Sequence, residues 1–274
     1  MGKLSGKVAL VTGAGRGIGL ALAHKLAAEG ASLVINDLDE APAQAAADAL
    51  RATGAQAVAV AGNVCRDELP QSLVDAALRN YGDLHIIVNN AGYIWNGPLH
   101  KISDEQWDAI QDVHLKAPFR ILRAAYPHIK ARSDAERQAG LSVTRKVVNV
   151  SSVSATRGSA GQSNYAAAKA GLFGLTKSLC KEWGPMNVTV NCVAFGFIET
   201  RLTQPITGET AVLIEGAKRR VGLLPESIEA ARRAVPLRRL GTPEDGAGGV
   251  LLFCLPESDY ISGQIVEING GMPG

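Results

Sequence analysis

The sequence predicts an α/β fold built on one doubly wound parallel sheet. Three observations carry that prediction. Short apolar runs alternate with segments of helical spacing along most of the 274 residues. The runs lack polar alternation, as strands covered on both faces require. The first run ends in a glycine-rich turn that leads directly into a helix.

Residues 8–11 are the first strand, closed by Thr12 and Gly13. Ile18, Leu22 and Leu26 then recur at helical spacing. Residues 33–35 are the second strand, and an alanine-rich helix follows over 40–52. A third strand at 58–60 precedes a helix marked by Leu69, Leu73, Ala77 and Tyr81. Residues 84–88 are the fourth strand. Leu115, Phe119, Leu122 and Tyr126 step by four, three and four, which assigns them to one face of a long helix. The fifth strand is 146–150. A helix over 165–183 carries Leu172, Leu175, Leu179 and Trp183 on one stripe. Residues 188–193 and 265–268 are strands six and seven. The expectation is a single domain over 1–274, with seven parallel strands and helices on both faces. Two stretches read as insertions: a polar one at 131–144 and a long mixed one at 200–236, expected to form a substrate lid.

Composition narrows the function. Apolar residues make up 46% and charged residues 20%, enough for a sizeable core. A net charge of +2 is too small to argue for nucleic acid or a membrane surface, and neither is expected as a partner. Unbroken apolar stretches such as 250–255 are far short of the roughly 20 residues a membrane span needs. Residues 1–7 show no apolar secretory segment. Cys65, Cys180, Cys192 and Cys254 are scattered, so no metal site is expected and a cytoplasmic location fits best.

The glycine turn reads Thr12-Gly13-Ala14-Gly15-Arg16-Gly17-Ile18-Gly19. Glycines here let the backbone approach a pyrophosphate, and the following helix offers free N–H groups and a positive dipole end. The strict G-x-G-x-x-G spacing fails, because Ile18 stands where its third glycine belongs. Asp37 follows Gly13 by 24 residues, at the end of the second strand. A carboxylate there suits the ribose hydroxyls of NAD and repels the extra phosphate of NADP. Arg16 could pair with that phosphate. It can also turn to solvent, whereas a desolvated like charge is costly, so NAD(H) is favoured over NADP(H).

Tyr165 and Lys169 are one helical turn apart and share a face. Ser151 and Ser152 close the fifth strand, where strand ends line the ligand crevice. A hydroxyl, a phenol and an ammonium around one point suit hydride transfer at a carbonyl carbon, with the phenol moving the proton. Ser152 would hold the substrate oxygen, and Lys169 would also bond the nicotinamide ribose. Free tyrosine titrates near 10, about 3 units above neutrality. The neighbouring ammonium is expected to lower that value, so alcohol oxidation should rise with pH at a midpoint below that of free tyrosine.

These residues together resemble the short-chain dehydrogenase/reductase family over nearly the whole chain. The motifs are Thr12-Gly-x-x-x-Gly17-x-Gly19, Asn89-Asn90-Ala91-Gly92, Ser152 thirteen residues before Tyr165, and Tyr165-x-x-x-Lys169. Within the family, 161–171 and the tail segments 261–264 and 269–272 are similar to bacterial 3-oxoacyl-acyl-carrier-protein reductases. The resemblance implies a Rossmann-type fold and a 3-oxoacyl or 3-hydroxyacyl thioester substrate on acyl carrier protein or coenzyme A. It implies a role in fatty acid metabolism and a homotetramer. It implies that Asn63 contacts adenine, with Leu38 and Val64 beside it, and that Asn90, Ala91 and Gly92 line the cofactor cleft. Gly196, Ile198 and Thr200 would meet the nicotinamide end, Thr200 at the carboxamide.

Three positions depart from the family pattern. His114 stands where the family usually has Asn, whose backbone carbonyl holds a water linked to the lysine. The imidazole either adds a donor there or fills the kink. Phe195-Gly196 replaces Pro-Gly. The segment 200–236 is longer than in the acyl-carrier reductases. It contributes to a basic stretch with Lys218, Arg219, Arg220, Arg232, Arg233, Arg238 and Arg239 against Glu215, Glu226 and Glu229. That stretch is either a docking edge for an acidic carrier or phosphates, or a solvated helix face. Two alternatives stay open: a dehydrogenase of a steroid, sugar or small diol, and a nucleotide-sensing protein without turnover.

Overall fold

A computed structural model describes residues 2–201, 211–214, 217–220 and 225–272. In chain order the elements are β1 (Val8–Val11), α1 (Gly17–Ala28), β2 (Ser32–Asp37), α2 (Glu40–Ala52), β3 (Ala57–Ala61), α3 (Leu69–Tyr81) and β4 (Ile86–Asn89). Then come α4 (Asp104–Gln111), a π-helical turn (Asp112–Lys116), α5 (Ala117–Gln138), β5 (Arg145–Ser152), the short α6 (Ser154–Arg157), α7 (Ser163–Glu182) and β6 (Val188–Phe195). The chain closes with β7 (Ala211–Ile214), β8 (Ala217–Arg220), α8 (Pro225–Ala234), α9 (Pro243–Leu252) and β9 (Ile265–Ile268).

Seven strands form one parallel sheet in the order β3-β2-β1-β4-β5-β6-β9. The chain winds outward from β1 to β3, then crosses back to place β4 on the other side of β1. The crevice beyond the C-terminal ends of β1 and β4 is therefore the switch point at which such sheets bind ligands. Every residue of β1, β4 and β6 is buried, as the unalternating apolar runs require. One core packs β1, β2 and β6 against α1, α2 and α9, and a second packs the opposite face against α3 and α5. Leu22, Leu26 and Leu50 are almost wholly buried, each worth roughly 1.5–3 kcal/mol.

Two expectations are corrected here. The polar stretch 131–144 is not an insertion up to its midpoint, because α5 runs on to Gln138. Its polarity misleads because Glu136 is buried against Arg145, with Oε2 to Nη1 and Oε1 to Nη2 both 2.8 Å. Asp83 accepts from the same guanidinium at 3.2 Å and from Arg132 Nε at 3.0 Å. Nor do Leu115, Phe119, Leu122 and Tyr126 share one buried face: Phe119 and Tyr126 are exposed, and the core side is Ile121, Leu122, Ala125 and Ile129. Leu115 lies in the π turn, which breaks its phase with α5, and within α5 Phe119 and Tyr126 stack two turns apart on a face rotated by roughly 40–60° from Leu122.

The segment 200–236 holds the antiparallel hairpin β7–β8 and α8. Residues 202–210, 215–216 and 221–224 of the expected lid lie outside the described residues, as do the side chains of Lys218, Arg219 and Arg220. No helix among the described residues is long and apolar enough to cross a membrane.

Candidate active site

The ends of β1 and β4 are knitted together by two polar residues. Thr12 Oγ1 accepts from the backbone N–H groups of Asn90 and Ala91, both at 3.0 Å. Asn90 Nδ2 donates back to the carbonyls of Thr12 at 2.9 Å and Gly13 at 3.0 Å. The glycine turn hangs from this lattice. Gly13 and Gly17 take φ of +62° and +56°, where side chains are strained. A Cβ on Gly19 would lie 2.3 Å from the Gly13 carbonyl oxygen, so only glycine lets α1 start this close to β1. Arg16, the residue before α1, makes no side-chain cap, so the first N–H groups of the helix carry none from it.

Asp37 ends β2 beside that turn and is 6% exposed. Its Oδ2 accepts from Gly15 N at 3.0 Å and its Oδ1 from Asp39 N at 3.3 Å. Arg16 Nη2 lies 3.5 Å from Asp37 Oδ1 and 2.7 Å from Asp39 Oδ2. Arg16 is thus engaged by two acids and does not turn freely to solvent as the sequence alone allows.

A cleft of about 840 Å³ runs from these residues to the end of β5. Gly13, Arg16, Gly17, Ile18 and Gly19 line it, with Asp37, Leu38, Asn63 and Val64 at one end. Asn90, Ala91 and Gly92 line its middle, and Ser152, Tyr165, Lys169, His114, Gly196, Ile198 and Thr200 the rest. Gly15 is the one expected residue not on the wall. Its role is backbone support, since a Cβ there would lie 2.7 Å from Asp37 Oδ2. The glycine cradle, the N-terminus of α1 and the Asp37 carboxylate at the end of β2 fit a nicotinamide dinucleotide along this cleft.

Helix α7 is bolted to β5 at two points. Ser151 Oγ donates to the Lys169 carbonyl at 2.9 Å, and Lys169 Nζ donates to the Val150 carbonyl at 2.6 Å. Buried Asn164 fixes the start of α7, donating to the Trp95 carbonyl at 3.1 Å and accepting from Tyr165 N at 2.8 Å. The result brings the Tyr165 phenol beside the Ser152 side chain, whose Oγ accepts from Ser154 N at 3.1 Å. Lys169 Nζ sits 5.8 Å from the Tyr165 ring centroid.

The electrostatics correct the expected acidity. Burial pushes the Tyr165 phenol up to about 12, against the opposing influence of the Ser152 side chain. Burial also pushes Lys169 down to about 8. The helical spacing puts the two groups on one face, but the ammonium is aimed at the Val150 carbonyl. In the protein alone, Tyr165 is therefore a protonated acid at neutral pH, poised to give a proton.

His114 is buried in the π turn, edge-on to Tyr165 with ring centroids 5.0 Å apart at 88°. Its Nε2 meets the Tyr93 carbonyl at 2.7 Å. Burial and the nearby Lys169 charge hold it well below the usual histidine value, so it is neutral. Phe195 is buried at the end of β6, and a Cβ on Gly196 would lie 2.8 Å from Asn269 Cβ.

Sequence reasoning missed Tyr93, which orients His114 through its backbone and so has no side-chain signature. It also missed Arg201, which lines the cleft where the charges of Arg16, Asp37 and Asp39 act on it. The basic stretch is more balanced than its own residues suggest. Arg232 reaches Glu229 at 3.3 Å and Glu199 at 3.8 Å, Arg233 reaches Glu229 at 3.6 Å, and Arg239 pairs with Asp245. Arg238 donates to the Arg233 carbonyl at 2.8 Å. Glu199 and Asp245 flank the basic stretch in the sequence.

A family model described as enoyl-(acyl carrier protein) reductase matches residues 13–273. The chain is 38% identical over 271 residues, 98% of each chain, to the 3-oxoacyl-[acyl-carrier-protein] reductase FabG of Vibrio cholerae. It is 36% identical over 267 residues, 97% of each, to the protein of that name from Escherichia coli. It is 35% identical over 266 residues to the short-chain reductase protein NovJ of Streptomyces niveus, covering 97% of this chain and 94% of that one.

Proposed function

The chain belongs to the short-chain dehydrogenase/reductase family, and from that premise we propose that it reduces the 3-oxo group of an acyl thioester with NADH. The observation that carries this reading is the meeting of Ser152 with a protonated Tyr165, above Lys169, at the end of the cleft away from Asp37. A nicotinamide dinucleotide, when bound, supplies the hydride that the carbonyl carbon takes up. The chain's residues handle the oxygen. Ser152 donates a hydrogen bond to it and fixes its position. Tyr165 gives its proton to the oxygen as charge develops there, so the ketone gains a hydride and a proton and leaves as a secondary alcohol. Lys169 holds a positive charge below the phenol and favours the phenolate that remains. Gly13, Gly17, Gly19 and the start of α1 hold the pyrophosphate.

NAD(H) is the preferred cofactor in this reading. Asp37 is already committed to the loop through Gly15, and Asp39 and Asp37 together take up the charge of Arg16. A phosphate at the 2′ position would meet an acid with its nearest base engaged. The thioester, presented on acyl carrier protein or coenzyme A, follows from the names of the relatives. The same reading takes 1–274 as one domain with 200–236 as its lid. It places the protein in the cytoplasm, where its four cysteine thiols stay reduced, as a homotetramer that covers exposed residues such as Phe119 and Tyr126.

The test is NADH oxidation against a panel holding a 3-oxoacyl thioester, a 2-enoyl thioester, a steroid ketone, a sugar and a small diketone. The highest kcat/KM is expected on the 3-oxoacyl thioester. Turnover confined to the enoyl compound or to a non-thioester overturns the substrate assignment. Binding of NADH with no turnover of any of them favours a nucleotide sensor.

A further inference from the structure

An acid that selects a ribose also repels the phosphates next to it. Arg16 is held by two such acids, 3.5 Å from Asp37 Oδ1 and 2.7 Å from Asp39 Oδ2. The three groups together are negative. The start of α1, which Arg16 precedes, offers roughly half a positive charge. A pyrophosphate is a dianion. Laid on the glycine turn, it would meet acids that outweigh their one arginine, and the helix end alone does not make up the difference.

A second guanidinium lines this part of the cleft. Thr200 Cγ2 lies 3.9 Å from where a Cβ on Gly17 would stand, so the chain at Thr200 lies against the first residue of α1. Arg201 is the next residue, about 3.8 Å along the backbone. It lines the cleft with Arg16, Gly17 and Ile18. Asp37 and Asp39 pair with Arg16 and not with Arg201. Partial burial and the Arg16 charge lower Arg201 from its ordinary value, and the two acids only partly offset them. Two guanidiniums and a positive helix end thus converge, with the acids taken up by one guanidinium. The other is placed for an anion at the start of α1.

We propose that Arg201 binds the pyrophosphate of the dinucleotide and supplies the positive charge that Asp37 and Asp39 withdraw from that site by engaging Arg16. The proposal rests on the dinucleotide reading of the cleft and not on the identity of the ketone. Arg201 acts on NADH and NADPH alike, whereas Asp37 separates them.

The test is equilibrium binding to wild type, Arg201→Gln and Arg201→Lys with no ketone present. Fluorescence titration reads NADH and NADPH, calorimetry reads ADP-ribose, and ligand-observed NMR reads adenosine, which has no phosphate. In Arg201→Gln the Kd for NADH and for ADP-ribose is expected to rise by about 5-fold or more at low ionic strength. NADPH should weaken by the same factor, and adenosine should not change. Arg201→Lys keeps the charge and should recover part of the loss. The gap between wild type and Arg201→Gln should narrow as salt is added. An unchanged Kd for ADP-ribose in Arg201→Gln overturns the proposal. An equal loss for adenosine also overturns it, because the effect then lies in the fold or at the adenine end. A loss confined to NADPH does the same by placing Arg201 at the 2′ phosphate. Failure of wild type to bind NADH, NADPH and ADP-ribose would instead remove the dinucleotide reading, and the proposal with it.

Discussion

Replacing Asp37 by Asn removes a charge from the end of β2 without removing an acceptor. The amide oxygen can still receive Gly15 N, which lies 3.0 Å from Asp37 Oδ2, so the glycine turn keeps its support. What changes is the field at the 2′ position. Arg16, 3.5 Å from Asp37 Oδ1, loses one of its two acids and becomes available to a phosphate. Two unit charges about 4 Å apart interact by about 1 kcal/mol in water and about 4 kcal/mol at an effective dielectric near 20. Asp37 is buried and Arg16 partly exposed, so the change falls between these limits. That corresponds to roughly 5- to 1,000-fold in relative specificity. The assay is kcat/KM with NADH and with NADPH, at one ionic strength, for wild type and variant. Damage to the turn affects both cofactors alike, so the ratio isolates the charge. Wild type is expected to prefer NADH, and the ratio in Asp37→Asn to move toward NADPH by about 10-fold or more. An unchanged ratio would refute the assignment of Asp37 to the ribose.

Two further outcomes follow from the packing. His85 accepts from Val8 N at 3.1 Å through Nδ1, and burial pushes its ring down to about 4. Between pH 6.5 and about 4 the unfolded chain takes up a proton that the folded chain refuses, so stability falls as pH drops through that window, by on the order of 3 kcal/mol. Burial opposes ionisation of neighbouring Asp83, but the hydrogen bond with His128 and the charge of Arg145 outweigh it and hold the carboxyl at about 2, so its contribution survives until pH falls below about 4. Denaturant melts at pH 7 and 4.5 should show the loss in wild type and a flatter response in His85→Asn; equal slopes would remove His85 as the cause. In Gly92→Ala the new methyl meets His114 Cε1, and the expected cost is about 1–3 kcal/mol. That cost should largely vanish in a His114→Ala background, whereas additive losses in the double variant would show that the methyl clashes elsewhere.

The strands were legible because a parallel sheet buried on both faces leaves unalternating apolar runs. The cofactor cleft was legible because backbone approach to a phosphate demands glycine, and glycine is visible in a sequence. Buried polarity was not. Glu136 and Ser133 look like surface residues until Arg145 is placed against α5, 9 positions on from Glu136. The four-three-four step marks an apolar stripe but not where its buried edge falls, so nothing in the spacing separates exposed Phe119 and Tyr126 from buried Leu122. The spacing of Tyr165 and Lys169 put them on one side of α7 but said nothing of the ammonium's direction or of the burial that raises the phenol. His114 was visible as an unusual residue, and only the structure shows its ring buried against the Tyr93 carbonyl.

The proton donor is the point on which the account turns. Its most direct test is the single-turnover rate of NADH oxidation by a 3-oxoacyl thioester in wild type and Tyr165→Phe, with NADH affinity measured in both by fluorescence. A fall of about 10²- to 10⁴-fold in rate with unchanged NADH affinity is predicted. A rate within a few-fold of wild type would contradict the assignment of Tyr165 as the acid.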